Sequence, residues 1–248
     1  MPAPLDNADR QTYAWQLDIP DFGETAQVKL RDTTALISRV GGLGGPLALQ
    51  LAAAGVGKLI LAHGGNLRDD DLNRQVLMAR EDIGRPRSTC AAETLQRFKP
   101  EIEIEAIPSN ISAQNAAELV GRSDIVFDCA PLFEERFLMN QQCVSQGKML
   151  VDSAMFNFDG QVIPIVAGET PGMACIYPAP PEHWKRRFPV LGAVSAMTAN
   201  IAALEGIKLI TGVAPAALGK MILLDARTMS LEQIAISRRA NCPVCGDK

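Results

Sequence analysis

The sequence holds only two histidines and no surplus of positive charge. No apolar run in it approaches the ~18 residues needed to cross a bilayer. With 28 acidic residues against 24 basic ones the formal net charge is −4, so there is no electrostatic case for nucleic acid as the main partner. The opening MPAPLDNADRQTYAW carries no apolar h-region, and neither an internal repeat nor a low-complexity tract is visible. These absences predict a cytoplasmic protein with no membrane partner. What is present is 248 residues, 47% of them hydrophobic. That length suits one large domain or two small ones and is ample for a buried core. Six cysteines in a cytoplasmic chain are expected as thiols or metal ligands rather than disulfides.

Thr34 to Val40 (TALISRV) reads as a short buried strand and runs directly into GGLGGP. Leu47 to Gly55 is small and apolar nearly all round, as a helix packed on a sheet should be. Lys58 to Ala62 (KLILA) is a second strand, so these residues form a βαβ unit. The alternation continues: helix Arg87–Lys99, strand Glu101–Ile107, helix Asn115–Gly121, strand Ile125–Cys129, helix Phe133–Gln146, strand Met149–Ala154. Continuous apolar strands between helices imply a mostly parallel sheet covered on both faces. Gln161 to Val166 contains Pro164 and is expected at an edge or bulge. A proline-rich crossing loop follows, then a long small-residue helix from Val190 to Gly212 and a hairpin from Lys220–Asp225 and Leu231–Ser237. The first 34 residues read as polar with a short turn-like element, IPDFGET. The fold class expected is α/β, a Rossmann-like doubly wound, mostly parallel sheet with a C-terminal antiparallel extension.

Nine stretches, in order and in spacing, resemble the ThiF/MoeB/HesA superfamily, the bacterial relatives of ubiquitin-activating enzymes: IPDFGETAQVKL, GGLGGPLALQLAAAGVGKL, DLNRQVL, EDIGRPR, FDC, GKMLVDSAMFNFDGQV, CIYPAPPE, LGAVSAMTANIAALEGIKLITG and CPVCG. The resemblance spans residues 13–246. It implies one activating domain over residues 1–248. Residues 12–155 would form its nucleotide-binding half, and 156–248 would supply the crossover loop, helix, hairpin and CPVC tail. The implied activity is ATP- and Mg²⁺-dependent adenylylation of the C-terminal carboxylate of a ubiquitin-like or sulfur-carrier protein.

Against that pattern several positions differ. A phosphate-cradling turn wants Gly-x-Gly-x-x-Gly; here it reads Arg39-Val40-Gly41-Gly42-Leu43-Gly44, with Arg39 in the first glycine's place. That arginine either contacts a phosphate or marks a damaged site whose turn is kept for helix–sheet packing. At the end of the second strand, where a carboxylate would bind ribose, stands His63, read as an exposed loop residue in preference to a ribose ligand. Asn73, Arg74 and Gln75 retain the family's Asn-Arg-Gln element, with Arg74 implied to reach phosphate. Arg87 stands for the family's lysine, the alternative being a surface charge at a helix start. The magnesium-binding aspartate implied three residues after Asp128 is Pro131. Asp128 is then a surrogate ligand or, more blandly, a cap of the next helix, and Glu134 and Glu135 serve only if the loop is rebuilt. The N-terminal arginines are replaced within Thr12-Tyr13-Ala14-Trp15-Gln16.

CPVC at 242–245 has zinc-knuckle spacing. The resemblance implies a Cys₄ site whose upstream pair is Gly172 and Cys175 here, so Cys175, Cys242 and Cys245 remain for a structural zinc, with His183 nearest in sequence as a fourth ligand. The crossover stretch HWKRRFPVLG holds no cysteine, and Cys90, beside Arg85 and Arg87, is the one thiol with nearby cations. The run Lys185-Arg186-Arg187 reads as a solvated loop face.

Two readings follow. In the first, the chain is a catalytically impaired member that partners an active paralogue or a carrier protein as a homo- or heterodimer. In the second, it is an active adenylyltransferase with a rebuilt site using Arg39, Arg74, Arg87 and Asp128. A dinucleotide oxidoreductase is disfavoured by the same missing glycine and acid.

Overall fold

The computed structural model describes residues 3–182, 184, 185 and 187–246. Helices α1 (Asn7–Thr12), α2 (Ala14–Leu17) and α3 (Gly23–Arg31) precede strand β1 (Thr34–Ser38). Then come α4 (Gly44–Ala54), β2 (Lys58–Ala62), α5 (Arg87–Phe98), β3 (Glu103–Ile107), α6 (Ala116–Gly121), β4 (Ile125–Asp128), α7 (Phe133–Gln146) and β5 (Met149–Phe156). The C-terminal part holds β6 (Asp159–Val166), α8 (Met173–Ile176), α9 (Gly192–Thr211), β7 (Lys220–Asp225) and β8 (Ser230–Ala235).

All strands join one sheet in the order β3-β2-β1-β4-β5-β6-β7-β8. The first five are parallel, and β6, β7 and β8 add antiparallel. The α/β class with an antiparallel extension is as expected. Side chains alternate across a strand, and the core divides accordingly. Ala35, Ile37, Leu59, Leu61, Ile125 and Phe127 face α3, α4, α5 and α9. Leu36, Ile60, Val126 and Leu150 face the side of α6 and α7.

Several boundaries differ for identifiable reasons. Strand β1 stops at Ser38, short of Val40, because Arg39 takes a left-handed φ of 62° and turns the chain. β6 is not an edge strand; it lies between β5 and β7. Pro164 is tolerated because β7 pairs only with Asp159–Val162, so at the proline β6 has a neighbouring strand, β5, on one side alone. The turn-like element IPDFGET turns over residues 19–22 and then enters α3, whose Gln27 is fully buried and donates to the carbonyl of Ala54 at 3.0 Å, while the residues before it form α1 and α2. The crossing loop contains the single turn of α8. By length and composition α9 is long and apolar enough to cross a membrane, contrary to the expectation that no such segment exists. In the fold it packs on α3, α4, β4, β5 and β6. It ends where Gly212 adopts φ 74°, a conformation that glycine takes without a side-chain clash.

Candidate functional site

A cleft of about 850 Å³ opens over the C-terminal ends of the parallel strands, where open α/β sheets bind ligands. The turn between β1 and α4 forms its floor. Arg39 holds the left-handed backbone that a first glycine would supply, and Gly41, Gly42 and Leu43 line the cleft. A Cβ at Gly42 would lie 3.1 Å from Arg74 and 3.3 Å from Ser195, so the chain passes close beneath both. Gly44 does not line the cleft. A Cβ there would come within 2.5 Å of the Arg39 carbonyl oxygen, so its role is tight turn packing.

The Arg39 side chain is buried and ion-paired with Glu135 of α7: Nε donates to Oε2 at 2.8 Å and Nη2 to Oε1. The pairing uses both carboxylate oxygens, so Glu135 is not free to bind a metal, and Glu134 is exposed. Arg87 is a correction to the surface alternative. It is buried at the start of α5, where Nε donates to Asp71 Oδ2 at 3.1 Å and Nη2 to the same oxygen. Asp71 Oδ1 accepts from Arg74 Nη2 at 3.2 Å. Burial raises the Asp71 carboxyl pKa, but the Arg87 pairing, the Arg68 amide and the Arg74 charge together outweigh it and hold the group below its ordinary range. Arg74 also donates to Asn73 Oδ1 at 2.8 Å. His63, expected to be exposed, is buried and lines the cleft with Asn73 and Gln75.

Asp128 departs furthest from its expected roles. It is fully buried and does not line the cleft. Nor does it cap α7, whose N-cap is Leu132 without a side-chain bond; its Oδ1 instead accepts from the Ala130 amide at 2.8 Å. Oδ2 lies 3.5 Å from Arg136 Nε. Burial, then the neighbouring Asp152, push its carboxyl well above the usual carboxylate range. Arg136 itself pairs with both oxygens of Asp152 at 2.9 Å and contributes to the cleft floor.

The crossover closes the opposite wall. Trp184 donates Nε1 to the Pro131 carbonyl at 2.6 Å and packs edge-on to Phe133, with ring centroids 5.4 Å apart. Trp184, Phe188, Pro189, Val190 and Met155 make this wall apolar. Arg187 also lines the cleft, whereas Lys185 is exposed and Arg186 lies outside the described residues. Cys90 is buried, and burial followed by Asp82 raises its thiol pKa, against a nucleophilic role.

The volume and the arginine-rich floor suit a nucleotide. Mg²⁺ requires oxygen donors, carboxylates above all, and among the described residues the acids lining the cleft are Asp70 and Asp71. Asp71 is held by two arginines, while Asp70 sits on the outer rim paired with Arg68 at 3.3 Å. The residues present do not fit a magnesium site. For zinc the thiol set fits: the sulfurs of Cys175, Cys242 and Cys245 lie within 4.8 Å of one another. A Cβ at Gly172 would meet Asn140 Oδ1 at 2.7 Å, so a side chain already fills the space beside that position. His183 lies outside the described residues.

Composition and spacing missed Arg136 and Trp184 as cleft-lining groups, and gave Glu135 a metal-binding role in place of its pairing with Arg39. The available signal was Arg136 standing three residues after Phe133 and three before Met139, on the same helical face as both.

The ThiF family model matches residues 13–244. The chain is 44% identical to the heterocyst HesA protein of Trichormus variabilis, over 98% of this chain and 91% of that protein. It is 33% identical to the sulfur carrier protein ThiS adenylyltransferase of Escherichia coli, over 98% of this chain and 97% of the relative. The crystal structure of E. coli MccB with ATP shares the fold, with a TM-score of 0.83 at 23% identity, covering 98% of this chain and 75% of that one. A match of that length, with relatives at those identities, makes the chain a member of the ThiF family.

Proposed function

We propose that this ThiF-family protein engages a ubiquitin-like or sulfur-carrier protein, or an active relative, as a partner or scaffold in the cytoplasm and does not itself carry out Mg²⁺-dependent adenylylation. The observation that carries this reading is the state of the carboxylates around the cleft. Glu135 and Asp71 are consumed by arginines, Asp128 is sealed in the core, and Pro131 stands on the cleft wall. The absence of cysteine from the crossover also argues against a thioester or persulfide step. The second reading, an active adenylyltransferase with a rebuilt site, draws on relatives named as adenylyltransferases at 33% identity. It would rest on Arg39, Arg74 and Arg87, since Asp128 does not reach the cleft.

We also assign a structural zinc ion to Cys175, Cys242 and Cys245, tying the C-terminal CPVC to α8. Homo- or heterodimerisation is consistent with the exposed Leu204 on α9. ATP–pyrophosphate exchange decides between the two catalytic readings. With ATP, Mg²⁺ and a sulfur-carrier protein ending in a free carboxylate, exchange should stay at background. Exchange at the rate of the E. coli relative would overturn the non-catalytic reading.

A further inference from the structure

We infer that the cleft binds a nucleoside polyphosphate free of divalent cation, with Arg39 as the residue that fixes the phosphates; the inference rests on the non-catalytic reading above. Among the described residues the cleft is lined by Arg39, Arg68, Arg74, Arg87, Arg136 and Arg187 against Asp70 and Asp71, with Glu135 and Asp152 paired behind Arg39 and Arg136, so cations still exceed carboxylates. A bare divalent cation entering it would meet a positive field and no uncommitted buried carboxylate. A polyphosphate would meet guanidinium groups directly, so its charge needs no metal to screen it.

Arg39 is singled out by its backbone as well as its charge. It holds φ 62° in a turn that glycine would satisfy without strain. A non-glycine residue kept in that conformation is a feature from which function is inferred. Its bonds to Glu135 use Nε and Nη2, which orients the guanidinium while leaving Nη1 for a ligand oxygen. Arg136 repeats the arrangement with Asp152, again through Nε and Nη2. Cations held in place in this way lose little freedom when an anion arrives. Across the cleft, Trp184 and Phe188 present aromatic rings to a base.

Calorimetric titration of the full chain with ATP, in EDTA and then in Mg²⁺, tests this. ATP should bind in EDTA at least as tightly as in Mg²⁺, because the cleft takes the metal-free form and Mg²⁺ sequesters it. The double variant Arg39→Gly/Glu135→Gln removes the cation without leaving a buried carboxylate unpaired, and glycine suits the turn. Once its thermal melt shows a folded protein, it should bind ATP in EDTA at least about tenfold more weakly, which is about 1.4 kcal/mol. Arg39→Lys, which keeps the charge, should recover part of that loss. The inference is overturned by any of three results: a tenfold loss of affinity in EDTA, no ATP binding in either buffer, or double-variant affinity equal to wild type. Exchange activity in Mg²⁺ would overturn the non-catalytic reading whatever the titration gives. A requirement for Mg²⁺ in the titration would overturn this inference even with exchange at background.

Discussion

Arg136 of α7 holds both carboxylate oxygens of Asp152 of β5 at 2.9 Å, with 2% of the arginine exposed. The pair ties a helix to the sheet from within the core. Removing one partner of such a pair strands a buried charge. Arg136→Met is therefore expected to cost about 3–5 kcal/mol, read from urea unfolding. The double variant Arg136→Met/Asp152→Leu should regain most of it. If the double variant lost as much as the single, an uncompensated charge would not be the cause.

Asp128, the residue before the cleft-lining Cys129, gives the chain a pH dependence. Its carboxyl is held well above the ordinary 3.8 by burial and by Asp152, so the folded chain keeps a proton that the unfolded chain releases. That contribution is full below the unfolded value and is lost as pH rises through the folded one. Asp128→Asn mimics the protonated form at every pH. Its stability relative to wild type should rise as pH increases above the ordinary carboxylate range, measured as urea midpoints. Parallel curves for the two proteins would refute the elevated value.

The proposed zinc site predicts about one zinc per chain by mass spectrometric metal analysis. Cys242→Ser should lose the metal and lower the melting temperature, and a strong chelator should do the same to wild type. Metal-free wild type with an unchanged melt would show that the three thiols are structural without a metal.

A Cβ at Gly206 of α9 would stand 2.3 Å from the ring of Phe127 in β4, which is fully buried and has no room to move. Gly206→Ala gains about 1 kcal/mol of helix propensity but forces overpacking costing about 1–3 kcal/mol. Net destabilisation is expected, and Phe127→Leu should relieve it. A thermal melt at or above wild type for Gly206→Ala alone would count against this packing.

The parallel core was legible because β1, β2 and β4 are short apolar runs between helices, and KLILA matches β2 to the residue. The N-terminal helices were not, because α3 buries Gln27 as well as apolar residues, which periodicity does not register. The candidate site was legible as a list of residues and not as an arrangement. Arg39 and Glu135 are 96 positions apart, and no local pattern couples them. Likewise Arg87 as a helix-start residue looks like a surface charge until Asp71 is placed beneath it.

The contact between Asn140 and Gly172 bears on how the thiol site can change. Asn140 is fully buried, and its Oδ1 accepts from the Met173 amide at 2.9 Å while standing where a side chain at 172 would begin. Restoring a fourth cysteine there would displace that oxygen and orphan the amide. Any route to a four-thiol centre must therefore alter α7 and the loop before α8 together, and the three-thiol arrangement is held in place by a residue that contributes no ligand.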